Sequence, residues 1–181
     1  HLYGMGKKEQ KFKLGYGVRF SSFVGANKYY TTAPAELTSP VQSLGTIFSE
    51  NINENIDTIT TATAFTNSLN ATIYIQYNFS SKFNVGFNID AIGVSFGPEK
   101  SFNVISSSFD PNQSPIQLGS PTTFNLLLTS DNDIGSLNSE LYVSYWITKR
   151  FGIRAGYTFL FSEYRTNEEL SFDGGRIMND R

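Results

Sequence analysis

The chain contains no cysteine, and its single histidine is His1. Disulfides, thiolate chemistry and cysteine-ligated metals are therefore excluded, and no internal imidazole exists to serve as a catalytic base or ligand. Charge is scarce. Acidic and basic residues make up 17% of the 181 residues, against about 25% in an average soluble domain. The net charge of −2 and the absence of a Lys/Arg cluster leave no electrostatic footprint for nucleic acid. A long apolar run is missing too. The longest uncharged stretch, Thr58 to Ser81, is filled with Thr, Asn and Ser, so it does not meet the requirement of about 20 predominantly apolar residues for a membrane-crossing helix. No signal peptide is visible, as expected of an exported protein after processing.

What is abundant is aromatic and small polar. Phe and Tyr number 16 and 10, and Asn, Ser and Thr fill much of the remainder. Five segments alternate with period two, the signature of strands with two chemically different faces. Phe12, Leu14, Tyr16, Val18, Phe20 and Val24 oppose Lys13, Gly15, Gly17, Arg19 and Ser21. Ala71 to Phe79 sets Ile73, Ile75 and Tyr77 against Thr72, Tyr74, Gln76 and Asn78. Phe83 to Ala91 sets Val85, Phe87 and Ile89 against Asn84, Gly86, Asn88 and Asp90. Leu137 to Ile147 opposes Leu141, Val143 and Tyr145 to Glu140, Tyr142 and Ser144, and Phe151 to Phe161 opposes Ile153, Tyr157 and Phe159 to Arg154, Gly156 and Thr158. After Ala91 the phase flips to Ile92, Val94 and Phe96, which predicts a bulge or the strand's exit from an apolar layer.

Two connections are very short, Ser80 to Lys82 and Thr148 to Arg150; the others span roughly Tyr30 to Asn70, Gly97 to Ser136, and Thr166 onward. The two tight hairpins also match at a constant offset: Tyr77, Phe79, Lys82 and Phe83 correspond to Tyr145, Ile147, Arg150 and Phe151. On these residues the chain resembles the small outer-membrane barrels of Gram-negative bacteria, and its Asn/Thr-rich loops resemble those of Bacteroidota. The resemblance implies an all-β, antiparallel up-and-down transmembrane β-barrel of eight strands, with short periplasmic turns, long extracellular loops and an aromatic girdle beside the turns. It implies one domain over residues 1–181 in the bacterial outer membrane, with membrane lipid and other outer-membrane proteins as partners and no cofactor. Five strands are defensible from alternation, fewer than a closed barrel needs. Either the final strand is lacking or the barrel is completed otherwise, because an open edge is not tolerated in lipid. Weaker strand-like pieces at Ser43 to Ser49, Asp57 to Phe65, Phe102 to Phe109 and Thr122 to Leu128 read as hairpins rising from the loops.

A soluble barrel with a hydrophobic ligand inside would alternate as well. Its outward face, however, would be dense in Lys and Glu. Here the polar face carries Gly, Asn, Ser, Thr and Tyr with isolated charges, and the five apolar faces carry none. The polar face is therefore expected to point inward.

Four charges, Arg19, Asp90, Glu140 and Arg154, would then project into the interior. They could form an acid–base pair or ion path, or an ion-pair plug filling a narrow barrel, and the plug is the expectation because interior charge must be paired whatever the function. The sequence carries no enzyme constellation, since barrel enzymes need an active-site His. Asp131-Asn132-Asp133 followed by Gly135 resembles part of a calcium loop, yet lacks the closing Glu at the required spacing; an Asx turn is expected and no metal is assigned. Asp57-Thr58-Ile59 resembles the O-glycosylation acceptor of exported Bacteroidota proteins, marking Thr58. Phe48, Phe65, Phe109 and Phe124, with Pro34, Pro40, Pro115 and Pro121, occupy the long connections and read as packing for ordered loops. The function expected is a non-enzymatic outer-membrane barrel, structural or accessory to a larger complex, with loops for binding.

Overall fold

A computed structural model describes residues 2–5, 11–32, 57–107, 109–128, 133–172 and 176–178. Strand follows strand among them, and no helix there is long and apolar enough to cross a membrane. The elements are β1 (Leu2–Met5), β2 (Phe12–Thr32), β3 (Asp57–Asn78), β4 (Phe83–Phe96), β5 (Lys100–Ile105), β6 (Ile116–Pro121), β7 (Phe124–Leu126), β8 (Leu137–Trp146), β9 (Gly152–Phe161), β10 (Tyr164–Thr166), β11 (Leu170–Phe172) and β12 (Arg176–Met178). The first ten form one antiparallel sheet, and β11–β12 form a separate pair.

Near the short turns the sheet runs β1-β2-β3-β4-β8-β9. At the opposite end β3 carries β5, followed by β6 and β10, while β4 carries β7. The two short turns are built alike. Ser80 Oγ accepts from the backbone N–H groups of Lys82 and Phe83, and Thr148 Oγ1 accepts from those of Arg150 and Phe151. A hydroxyl at the first turn position satisfies donors that the reversing chain leaves open.

The phase flip after Ala91 is a bulge. Ala71 faces Ile92 and Thr72 faces Asp90, leaving Ala91 as the extra residue. Its carbonyl accepts from Leu127 N at 2.8 Å, so the bulge also anchors the segment after β7. Because of that one inserted residue, Ile92, Val94 and Phe96 stay on the same outer surface as Phe87. Without it they would turn inward.

Burial is inverted relative to a water-soluble domain. The largest fully buried side chains are Asn70, Asn88, Asn125, Thr72, Asp90, Ser95 and Ser136. The apolar faces lie outside, with Val18 73%, Leu141 55% and Tyr157 74% exposed. At the long-connection end the order reverts to normal. Ile59, Phe102, Val104, Leu170 and Phe172 form an apolar cluster, with Tyr30, Phe109 and Tyr164 packed on it. β3 thus serves two environments, burying Ile59 at one end and Thr66, Ser68, Asn70 and Thr72 along the other.

Three expectations need correction. The piece from Asp57 to Phe65 is not a loop hairpin; it is the start of β3, a single 22-residue strand paired along its length with β2. Thr58 and Thr60 face the same way as Ala62, opposite Ile59 and Thr61, so no apolar alternation advertises this half. The pieces at Phe102 to Phe109 and Thr122 to Leu128 do hold strands, β5 and β7, and β5 forms a hairpin with β6, but these strands join the sheet beside β3 and β4 and do not stand apart from it as loop hairpins. Finally, the described strands form an open sheet and not a closed eight-stranded barrel: β9 pairs with β8 alone, and β1 with β2 alone. The piece from Ser43 to Ser49, together with Pro34, Pro40 and Phe48, lies outside the described residues.

Candidate functional site: the buried polar network

All four candidate charges fall into one network on the concave face. Arg19 projects from β2, where Gly17 and Ser21 share its face. Its Nη1 lies 3.3 Å from Asp90 Oδ1 and donates to the Asn138 carbonyl at 3.0 Å, and its Nη2 donates to Asn88 Oδ1. β2 and β8 are separated by β3 and β4, yet one arginine side chain links them. The sheet must therefore be tightly curled at this level.

Asp90 is fully enclosed. Oδ1 accepts from Thr72 Oγ1 at 2.7 Å, while Oδ2 accepts from Asn70 Nδ2 at 2.9 Å and from the Asn138 N–H at 3.0 Å. With Arg19 added, the roughly four acceptor positions of a carboxylate are engaged. Every one of these partners comes from the sheet itself.

Glu140 forms the second centre. It sits opposite Asn88 in the β4–β8 register, and its Oε2 accepts from Asn88 Nδ2 at 2.9 Å and from Arg154 Nη2 at 2.6 Å. Arg154 Cζ also lies over the Tyr142 ring, 3.4 Å from its centroid, which adds a cation–π contact. Tyr142 Oη reaches Gln76 Oε1 at 3.2 Å, and Gln76 donates to Asn78 at 2.7 Å. Tyr142 occupies space that a Cβ at Gly86 would fill, so a glycine is required there.

Above Asp90 the network continues through asparagines. Asn125 Nδ2 donates to Asn70 Oδ1 at 2.7 Å, and Asn125 Oδ1 accepts from Ser95 Oγ at 2.9 Å and Ser136 N at 2.8 Å. Ser136 Oγ and Asn138 Oδ1 are buried with no hydrogen-bond partner among the described residues.

The two carboxylates do not bond to each other. Each is matched to its own arginine, and Asn88 stands between the two ion pairs, bonded to Arg19 and to Glu140. Asp90 meets Asn138 on β8, whereas Glu140 meets Asn88 on β4. The arginines and acids were legible as inward-facing residues. The asparagines that join them, Asn70, Asn88 and Asn125, carry about half of the connections. Only Asn88 has a signal in the sequence, its place on the polar face of Phe83 to Ala91; Asn70 and Asn125 fall outside the alternating segments.

The remaining candidates lie elsewhere. Thr58 sits in the ladder between Thr31 and Ile105, half-buried, far along β3 from the network. Asp131 and Asn132 lie outside the described residues. Asp133 Oδ1 accepts from Leu128 N at 2.7 Å, and Gly135 has a φ of +82°. Among the described residues no three His, Asp or Glu side chains gather as metal ligands. Phe109 packs edge-on against Phe172 at 5.6 Å, as a loop-core residue, while Phe124 stays 48% exposed.

Fold and interior together define an antiparallel all-β protein with a polar, hydrogen-bonded inside and an apolar outside. No family model, curated protein or solved structure matches the chain.

Proposed function

We propose that the protein is a non-enzymatic outer-membrane β-barrel, structural or accessory to a larger outer-membrane complex, with its long-connection end available for binding. The inverted burial carries this reading. A buried aliphatic or aromatic side chain is worth about 1.5–3 kcal/mol relative to an exposed one, and in water this chain would forgo that gain at Val18, Phe20, Ile73, Leu141, Ile153 and Phe159 together. In lipid the same faces are solvated by acyl chains. From Leu69 to Asn78 on β3 there are roughly 9 steps of ~3.3 Å, which at a ~40° tilt span ~23 Å, close to the height of a barrel's apolar band. Tyr77, Phe79 and Phe83 pack ring to ring at the short-turn rim, 4.9 and 5.5 Å apart, next to exposed Lys82. That is the expected seat of an aromatic girdle.

Strand directions bear on closure. β1, β2, β3, β4, β8 and β9 alternate, so β1 and β9 run opposite ways and closure takes an even number of added strands. One further hairpin would give eight. Among the described residues β9 and much of β2 have one edge without a partner strand, which is costly in lipid and favours completion by more strands and membership of an assembly. A soluble barrel enclosing a hydrophobic ligand would need these apolar faces around a cavity, and their outward position counts against it.

The test is membrane fractionation of the native host, mild detergent extraction and sizing of the intact particle. Outer-membrane recovery in a particle much larger than the chain supports the accessory role. Recovery in the aqueous fraction overturns the membrane reading.

A further inference from the structure

One cleft, of about 580 Å³, opens at the long-connection end and is lined by Ser120, Pro121, Thr122, Thr123, Phe124, Ile134, Glu163, Arg165, Thr166 and Asn167. Its size lies within the ~300–1,000 Å³ of small-molecule sites. The network does not extend into it, and none of the residues already discussed as charge pairs contributes to it.

The cleft is held in shape by Glu163. Its Oε1 accepts from Thr122 Oγ1 at 3.0 Å and its Oε2 from Gly135 N at 2.7 Å, while its carbonyl accepts from Thr122 N at 3.1 Å. Three chain segments are thereby tied together behind the cavity. Arg165 stands on β10 opposite Ser120 of β6 and is exposed. Among the described residues its guanidinium has no ion-pair or hydrogen-bond partner, although Arg19 and Arg154 are both paired. Asn167 uses Nδ2 on Glu99 at 2.7 Å, which leaves its carbonyl oxygen as an acceptor. Half-exposed Phe124, with Pro121 and Ile134, supplies apolar surface beside these groups.

We propose that this cleft is a saccharide subsite that selects an acidic sugar. The reasoning is chemical. A pyranose presents a C–H face to an aromatic ring and hydroxyls around its edge, and the cleft offers Phe124 for the first and Ser120, Thr123 and Asn167 for the second. The free planar fork of Arg165 matches a sugar carboxylate bidentately, whereas the Glu163 carboxylate is already occupied by its two donors. The inference rests on the proposed outer-membrane reading only in placing the cleft, whose Phe124 pairs with Val94 at the end of the outer apolar face, at the membrane rim where the saccharides of the cell exterior begin.

The experiment is a saturation-transfer NMR titration of the full chain in a sugar-free detergent, with digalacturonate and the neutral galactobiose as probes. Digalacturonate should bind at least about tenfold more tightly than galactobiose, and Arg165→Gln should remove that preference, one charge-assisted bidentate pair being worth about that ratio. Phe124→Ala should weaken both probes. Heat-modifiable gel migration identical to wild type verifies that each variant is folded. A dodecyl-linked digalacturonate that binds more tightly than the free sugar supports a membrane glycolipid as the source; equal binding supports free or polymeric saccharide. Absence of transfer to digalacturonate, or indifference to both substitutions, overturns the subsite. A protein that needs detergent but binds neither sugar loses only this inference. One that is recovered in the aqueous fraction and still selects digalacturonate loses only the membrane reading.

Discussion

Arg19 and Asp90 meet inside the curled sheet with 3.3 Å between Nη1 and Oδ1, the carboxylate sealed from solvent and the guanidinium side chain 16% exposed. Their pairing draws β2 over β3 and β4 to the start of β8, because the same guanidinium also holds the Asn138 carbonyl. A buried pair of this kind adds little net stability over an apolar pair, but removing one partner leaves the other charge uncompensated.

Asp90→Ala should therefore destabilise the protein by about 3–5 kcal/mol, and Arg19→Met combined with Asp90→Ala should cost clearly less than the sum of the single changes. Urea unfolding in detergent micelles followed by Trp146 fluorescence measures this. Strict additivity would mean that the two side chains do not interact.

Deleting Ala91 should abolish the native fold, since it removes the bulge and turns Ile92, Val94 and Phe96 into the polar interior. Ala91→Ser keeps the extra residue and should change stability by less than about 1 kcal/mol. The readout is heat-modifiable migration after refolding. A deletion variant that refolds normally would show that the bulge does not hold the register.

Leu141→Arg tests the environment of the outer face. Leu141 lies mid-strand on β8 and is 55% exposed. Facing lipid, the substitution should cost about 2–4 kcal/mol; facing water, such a change is usually within about 0.5 kcal/mol. Unfolding from lipid vesicles distinguishes the two, and a near-zero cost argues that this face is wet.

Alkaline pH should loosen the apolar cluster at the long-connection end. Tyr30 belongs to the part of β2 beyond the Phe12–Val24 band, and burial, reinforced by neighbouring Tyr164, pushes its hydroxyl from 10.0 up to about 12. The folded state holds this proton more tightly than the unfolded chain does. Its stabilising contribution is therefore complete below pH 10 and lost as pH rises toward about 12. Tyr30→Phe should flatten the fall in stability across that window. A wild-type profile unchanged by the substitution would remove Tyr30 as its source.

The physics of the polypeptide makes some of this readable without a structure. Side chains alternate along any strand, so the opposition of Leu14, Tyr16 and Val18 to Gly15, Gly17 and Arg19 marks two faces, and the lack of charge on the apolar side says which one avoids water. The bulge near Ala91 was legible for the same reason, as one residue out of phase. The first half of β3 was not, because Thr58, Ile59, Thr60 and Thr61 suit a strand between two paired neighbours without alternating. That Arg19 takes Asp90 while Arg154 takes Glu140, with Asn88 between, depends on curvature and register among strands far apart in sequence. The same holds for Phe102 meeting Leu170, for the cleft around Arg165, and for a sheet left open at β9. The sequence by itself determined which residues face inward, because alternation is local. Tertiary structure alone decided which inward residues meet, because that depends on how tightly four strands curl.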